Sequence, residues 1–315
     1  MLQGRVHYSR GVEHRKIGSL NVSLAGLGCN NFGWRVGKDA TREVVDAALD
    51  AGINFFDTAD FYGAGQSEEY LGEVMGDCRN RIVLATKFGL SMGEGLAGAS
   101  PTYVKQACEA SLRRLRTDHI DLYQLHRPDE ATPIADTLGA LDDLVKEGKV
   151  REIGCSNFSV QQLREAAAAV GAGAAKFVSV QNNYSLFHRE PEQGVLEECA
   201  RLEVGFLPYF PLANGLLSGK YRKGQPLPES SRAKDGFGPS MFTEANLEKV
   251  ESLLSFAEQR GHSLLELGVS WLASRGVVSS VIAGAKSVAQ VKENAAATGW
   301  EMSAAELAEI DAILA

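Results

Sequence analysis

A chain of 315 residues with 44% hydrophobic content can bury a full core and needs no disulfide or metal staple. Its net charge of −8 argues against non-specific nucleic-acid binding, which needs a basic face. No run nears the roughly 18 apolar residues that a bilayer span requires.

Five scattered cysteines, Cys29, Cys78, Cys108, Cys155 and Cys199, form no C-x-x-C pair, the pattern of reduced thiols rather than of a disulfide frame or zinc site. The opening Met1-Leu2-Gln3-Gly4-Arg5 lacks a signal peptide's apolar segment. The expectation is a cytoplasmic protein with no metal and no membrane partner.

In chain order, residues 5–20 read as a small hairpin around Gly11. Residues 24–29 are the first strand of a repeating pattern, and 39–51 a helix with Val44, Val45, Ala48 and Leu49 on one side. Strands at 54–59, 82–87, 119–126, 150–155, 177–181 and 205–209 follow, with helices at 67–77, 101–116, 133–147, 160–170 and 192–202. A long polar stretch with Gly and Pro, about 213–243, reads as a loop after the seventh strand. Helices at 246–260 and 263–275, a strand at 277–282, and helices at 287–297 and 303–314 complete the chain.

Eight strands alternating with helices, with no linker-like break, predict a parallel sheet. Their number and the length predict one (β/α)8 TIM barrel over residues 1–315, carrying an N-terminal β-hairpin, a long loop after strand 7 and extra helices. A doubly wound nucleotide-binding fold expects G-x-G-x-x-G after the first strand. Here Gly26-Leu27-Gly28 runs into Cys29, Asn30 and Asn31, so the third glycine is missing. Gly89-Leu90-Ser91-Met92-Gly93 fits G-x-S-x-G, but a glycine-rich loop follows where a nucleophile elbow needs a helix.

Asp57, Lys87 and His126 each stand at the end of a predicted strand, and Tyr62 lies in the loop after Asp57. A charge buried at a strand end is costly unless paired or used. Together the four compose a plausible proton-transfer site. A free phenol, with a pKa of about 10, is a weak acid at neutral pH. A lysine ammonium beside it favours phenolate, so Lys87 is expected to acidify Tyr62. Asp57 pairs with Lys87, and His126 orients a carbonyl oxygen. Such a set stabilises the alkoxide that develops when hydride adds to a carbonyl. Aromatic residues after the strands, Trp34, Phe61, Phe88 and Phe158, are expected to wall the substrate pocket beside Tyr62 and His126.

Several long motifs resemble the aldo-keto reductase superfamily. They are Gly52-Ile53-Asn54-Phe55-Phe56-Asp57-Thr58-Ala59-Asp60-Phe61-Tyr62-Gly63, Leu84-Ala85-Thr86-Lys87-Phe88, and the run from Asp118 through His126-Arg127-Pro128-Asp129. Ile153 to Phe158, Val180 to Tyr184, Pro208 to Lys220, Gly284-Ala285-Lys286 and Glu293-Asn294 continue the likeness over essentially the whole chain. The contexts of Arg127-Pro128-Asp129 and Gly219-Lys220-Tyr221 look like the bacterial and potassium-channel-beta-subunit-like branches.

The resemblance implies a barrel that binds NADPH or NADP+ without a Rossmann motif and reduces aldehydes or ketones to alcohols, with Tyr62 as general acid. It implies Ser156, Asn157 and Gln181 at the nicotinamide carboxamide and Tyr209 stacked on the nicotinamide ring. The neighbouring Gly28, Asp57, Phe210, Pro211, Leu212 and Ala213 line the cofactor, with Lys220 as the pyrophosphate cation. Gly284, Lys286, Gln290, Glu293 and Asn294 serve the adenosine end. Many members carry Arg where this chain has Gln290, so Lys286 and Arg232 are the candidate cations for a 2′-phosphate. That charge argument favours NADPH, with NADH as the alternative. The implied partner is a small carbonyl or alcohol; the sequence does not fix an oligomeric state. Two rivals keep the barrel: Lys87 as a Schiff-base nucleophile, or a non-catalytic NADPH-binding regulatory subunit.

Overall fold

The computed structural model describes residues 12–227 and 241–315. Arg232 and Gly11 lie outside the described residues. A hairpin comes first: β1 (His14–Ile17) pairs antiparallel with β2 (Leu20–Ser23). Its turn is Gly18-Ser19, with Gly18 at φ 54°; the turn expected around Gly11 lies outside the described residues. A two-residue loop opening on Gly is a strong hairpin signal that the polar character of the segment obscured.

The barrel strands are β3 (Ala25–Gly28), β4 (Phe55–Asp57), β5 (Val83–Phe88), β6 (Ile120–Leu125), β7 (Val150–Ser156), β8 (Phe177–Asn183), β9 (Gly205–Tyr209) and β10 (Val281–Gly284). They form one parallel sheet in the order β10-β3-β4-β5-β6-β7-β8-β9. The ring closes through residues just before β10. Phe206 donates its N–H to Val277 O (2.8 Å), and Ser279 N–H returns to Phe206 O (3.0 Å). Val281 then donates to Leu24 O (2.7 Å). The eighth strand expected at 277–282 is therefore shared: its start bonds to β9, and only the later part pairs with β3.

Helices α1 (Lys38–Asp50), α2 (Gln66–Met75), α3 (Pro101–Leu115), α4 (Ile134–Lys146), α5 (Val160–Ala169), α6 (Val195–Leu202), α7 (Glu244–Glu258), α8 (Leu264–Ala273), α9 (Val288–Ala296) and α10 (Ala304–Leu314) surround the sheet or extend it. Capping boxes at Ser159/Gln162, Ser263/Glu266 and Ser303/Glu306 set the starts of α5, α8 and α10 by satisfying the first free N–H groups. No described helix is long and apolar enough to cross a membrane.

Two apolar layers result. The larger lies between the strands and helices. The smaller fills one end of the barrel, where Ile17, Leu20 and Val22 of the hairpin meet Phe55, Ala85, Leu122, Val178, Leu207 and Ile282. Arg15 Nη1 donates to Val278 O (2.6 Å) and Ser19 N–H to Glu152 (2.7 Å), so the hairpin is tied across the strand starts. The opposite, C-terminal end stays open and holds the site.

Candidate active site

A cavity of ≈760 Å³ opens at the C-terminal ends of the strands. That is the face where barrels of this kind carry their chemistry. Asp57 ends β4, Lys87 is the penultimate residue of β5, and His126 directly follows β6. Tyr62 begins a short 3₁₀ turn in which Gly63, Ala64 and Gly65 all have positive φ, which reverses the chain into α2. Strained left-handed backbone at a non-glycine residue such as Ala64 is typical of functional loops.

Lys87 is fully buried and donates to Asp57 Oδ2 (2.6 Å), Thr58 O (2.9 Å) and Tyr62 Oη (3.3 Å). Asp57 Oδ1 accepts from Gln124 Nε2 (3.1 Å) and Gln181 Nε2 (2.9 Å). The Tyr62 and His126 rings meet edge to face, centroids 5.8 Å apart. The four residues singled out in the sequence thus form one cluster.

Their proton affinities differ from the sequence expectation in one respect. Burial pushes the Tyr62 phenol above the ordinary 10.0; Lys87 pulls it down, but Asp57 adds to the rise. Tyr62 is therefore not acidified in this state, because burial, with Asp57 adding to it, outweighs the lysine's charge. Burial lowers Lys87, yet Asp57 and Tyr62 outweigh it and hold the ammonium above its ordinary value. Burial, then Lys87 and Arg127, depress His126 to about 3, so its imidazole is neutral at physiological pH.

A polar floor lies beside the cluster. Ser156 Oγ donates to Gln181 O (2.7 Å). Asn157, at φ 61°, donates to His126 O (3.0 Å) and accepts from Tyr209 Oη (2.8 Å). One amide thereby fixes both the histidine strand end and the Tyr209 ring. Beyond Tyr209 the backbone turns left-handed at Phe210, Ala213, Asn214 and Gly215. Phe210, Pro211, Leu212 and Lys220 line the cavity; Ala213 is buried beneath and does not. At the far end Gly28, Gly284, Lys286, Gln290, Glu293 and Asn294 line it. Gln290 Oε1 accepts the Lys286 backbone N–H (2.8 Å), so its amide oxygen is turned to the chain and Lys286 is the cation of that end among the described residues.

Of the expected substrate walls, Trp34 (54% exposed) and Phe61 (48%) line the cavity. Phe88 and Phe158 do not. Phe88 stacks on Tyr123 and Phe158 packs edge to face on Phe177, both in the layer under the helices. Successive strand residues face opposite sides. With Lys87 facing the site, Phe88 must face away. Sequence reading missed Gln124, although it lies two residues before His126 on the same strand; it also missed Asn30, Asn31, Arg35, Leu90 and Arg127, which line the cavity from loops and strand ends.

Residues 25–315 match the sequence profile of the aldo/keto reductase family. The chain belongs to the aldo/keto reductase family. It is 32% identical over 319 residues to an L-glyceraldehyde 3-phosphate reductase of Escherichia coli O157:H7, covering 95% of this chain and 92% of the relative. It is 34% identical over 331 residues to an aldo-keto reductase of Fusarium vanettenii, covering 93% and 88%. Among solved structures, a glycerol dehydrogenase of Gluconobacter oxydans superposes with a TM-score of 0.84 at 30% identity, covering 96% of this chain and 94% of that one. Membership of this family makes the chain an oxidoreductase of the class that uses nicotinamide cofactors.

The cavity residues fit such a cofactor. Two amides and a hydroxyl (Asn157, Gln181, Ser156) stand at one end and two lysines along the rest, the donor set that a carboxamide and phosphates require. At Gly284 a Cβ would press on Asn31 Nδ2 (3.0 Å) and Asn30 Oδ1 (3.1 Å), so glycine keeps that wall flat.

Proposed function

We propose that this protein is a cytoplasmic NADPH-dependent carbonyl reductase, one barrel domain in which Tyr62 is the general acid. One observation carries the reading: the hydrogen-bonded series Asp57–Lys87–Tyr62 opens onto the same cavity as neutral His126. NADPH supplies the hydride when bound. The side chains do the rest. Tyr62, still protonated at neutral pH, gives its proton to the carbonyl oxygen. The phenolate left behind is stabilised by the Lys87 ammonium, which Asp57 holds in place. His126, being neutral, donates one ring N–H to the same oxygen without a competing positive charge.

Ser156, Asn157 and Gln181 would hold the nicotinamide carboxamide and Tyr209 its ring. Gly28, Phe210, Pro211 and Leu212 would line the middle, and Lys220 would meet the pyrophosphate. Gly284, Lys286, Gln290, Glu293 and Asn294 would hold the adenosine end, with Lys286 taking the 2′-phosphate. Trp34 and Phe61 would flank the substrate. The names of the Escherichia and Gluconobacter relatives point to short hydroxylated carbonyls and alcohols as the first substrates to try.

The Schiff-base reading is disfavoured because Lys87 is buried, its N–H groups are committed to three acceptors, and its proton is held tightly. A purely regulatory cofactor binder would leave that buried pair without a use. The test is NADPH absorbance across a panel of aldehydes, ketones and sugars, with NADH in parallel. Tyr62→Phe is expected to lower turnover by roughly 10²–10⁴ while cofactor binding persists. An unchanged rate would remove Tyr62 from the mechanism.

A further inference from the structure

In a chain of net charge −8, the cavity wall runs the other way. Among the described residues its lining carries four cations, Arg35, Arg127, Lys220 and Lys286, against two carboxylates, Asp57 and Glu293. Asp57 is already matched by Lys87. Lys220 and Lys286 stand with the loop after β9 and the end of β10, where the reading above assigns them to cofactor phosphates. That leaves positive charge at the reacting end.

Arg127 is the decisive residue. It follows His126 directly at the end of β6, lines the cavity and is exposed. Among the described residues no carboxylate is paired with it. Its charge reaches both sides of the reacting end: after burial and Lys87 it is the third influence depressing His126, and it opposes the rise that burial imposes on Tyr209. Arg35, on the loop after β3, brings a second guanidinium, stacked 4.1 Å over the Trp34 ring. A guanidinium stays charged at any physiological pH and can grip two oxygens of one anion side by side. A neutral carbonyl compound gives the Arg127 guanidinium no anion to bind.

We propose that the preferred substrate is a short aldehyde carrying an anionic group, a phosphate or a carboxylate, which Arg127 holds while the carbonyl faces Tyr62 and His126. This rests on the reductase reading above and names the substrate class of the same site.

The experiment compares kcat/KM with NADPH for two matched pairs, glyceraldehyde against glyceraldehyde 3-phosphate and butanal against 4-oxobutanoate, in wild type, Arg127→Met and Arg127→Lys. Wild type is expected to favour an anionic member by roughly 10–100-fold, the range for one charge-assisted contact. Arg127→Met removes that preference, mainly through KM, and Arg127→Lys keeps part of it. Preference confined to the first pair identifies phosphate; preference confined to the second identifies carboxylate. Reduction of the neutral members with no anionic preference, or a preference that survives Arg127→Met, overturns this inference and leaves the reductase standing. No reduction of any carbonyl by either cofactor overturns the reductase reading and this inference with it.

Discussion

Lys87 sits closer to Asp57 than to Tyr62, 2.6 Å against 3.3 Å, so its charge is committed to the carboxylate before it reaches the phenol. The phenol is therefore kept protonated by burial, and the lysine matters most after the proton has left. In the proposed reaction Tyr62 is a reservoir of one proton, and Lys87 lowers the cost of emptying it.

The pH profile of carbonyl reduction follows from this. Since the Tyr62 phenol lies above 10.0, kcat/KM should stay level through neutral pH and fall only in the alkaline range above that value. Since His126 titrates near 3, no step should appear near the ordinary histidine value of 6.5. A descending limb centred below pH 10.0 would contradict the Tyr62 assignment, and an ascending step near 6.5 the His126 assignment.

Cofactor choice should rest on Lys286. Gln290 is occupied with the Lys286 backbone N–H, so the lysine ammonium is the cation among the described residues of that end. Lys286→Ala should raise KM for NADPH by about 10-fold or more, as expected for one charge-assisted contact, and change KM for NADH far less. Steady-state kinetics with both cofactors reads the ratio; equal effects on the two would reassign the 2′-phosphate contact.

A buried carboxyl next to the catalytic loop should make stability pH-dependent. Asp60 is 1% exposed, and its Oδ1 has no hydrogen-bond partner among the described residues. Burial and then Glu68 raise it from 3.8 to about 7, with Arg114 opposing. The folded state therefore binds the proton more tightly than the unfolded chain. That contribution is complete below about pH 4 and is lost as pH rises through about 7. Asp60→Asn carries no charge to lose. It should melt above wild type at pH 8, with the gap narrowing or reversing at pH 5. At about 1.4 kcal/mol per pKa unit the difference is several degrees. Parallel melting curves at both pH values would show that Asp60 is not the titrating group.

Packing between α2 and α3 should tolerate no side chain at Gly72. A Cβ there would collide with Arg114 O and lie 2.6 Å from Leu115 C, both backbone atoms at the end of α3. Backbone cannot rotate away, so Gly72→Ala should cost about 1–3 kcal/mol or more. Thermal unfolding would read this as a drop of several degrees; an unchanged midpoint would mean the two helices pack less closely.

Much of this architecture was legible in the sequence because several barrel strands are short apolar runs with a polar residue at or next to their end. The end of each run marks both the strand and the face that carries the site. Asp57, Lys87 and His126 were found that way. What stayed hidden depends on geometry that periodicity does not encode. The hairpin turn at Gly18-Ser19 was lost in a polar segment. The eighth strand was placed early because Val277 and Ser279 bond to one neighbour before Val281 bonds to the other. Phe88 was assigned to the pocket although strict alternation with Lys87 forbids it. The direction of the Tyr62 shift is set first by how deeply the phenol is buried and then by the balance of Lys87 against Asp57, none of which a sequence gives.

The hairpin cap has a kinetic meaning. With Ile17, Leu20 and Val22 corking the strand starts, the described residues leave the cavity a mouth at the opposite end. If cofactor and substrate share that mouth, the one seated deeper should arrive before its companion and depart after it, an order that product-inhibition kinetics reads.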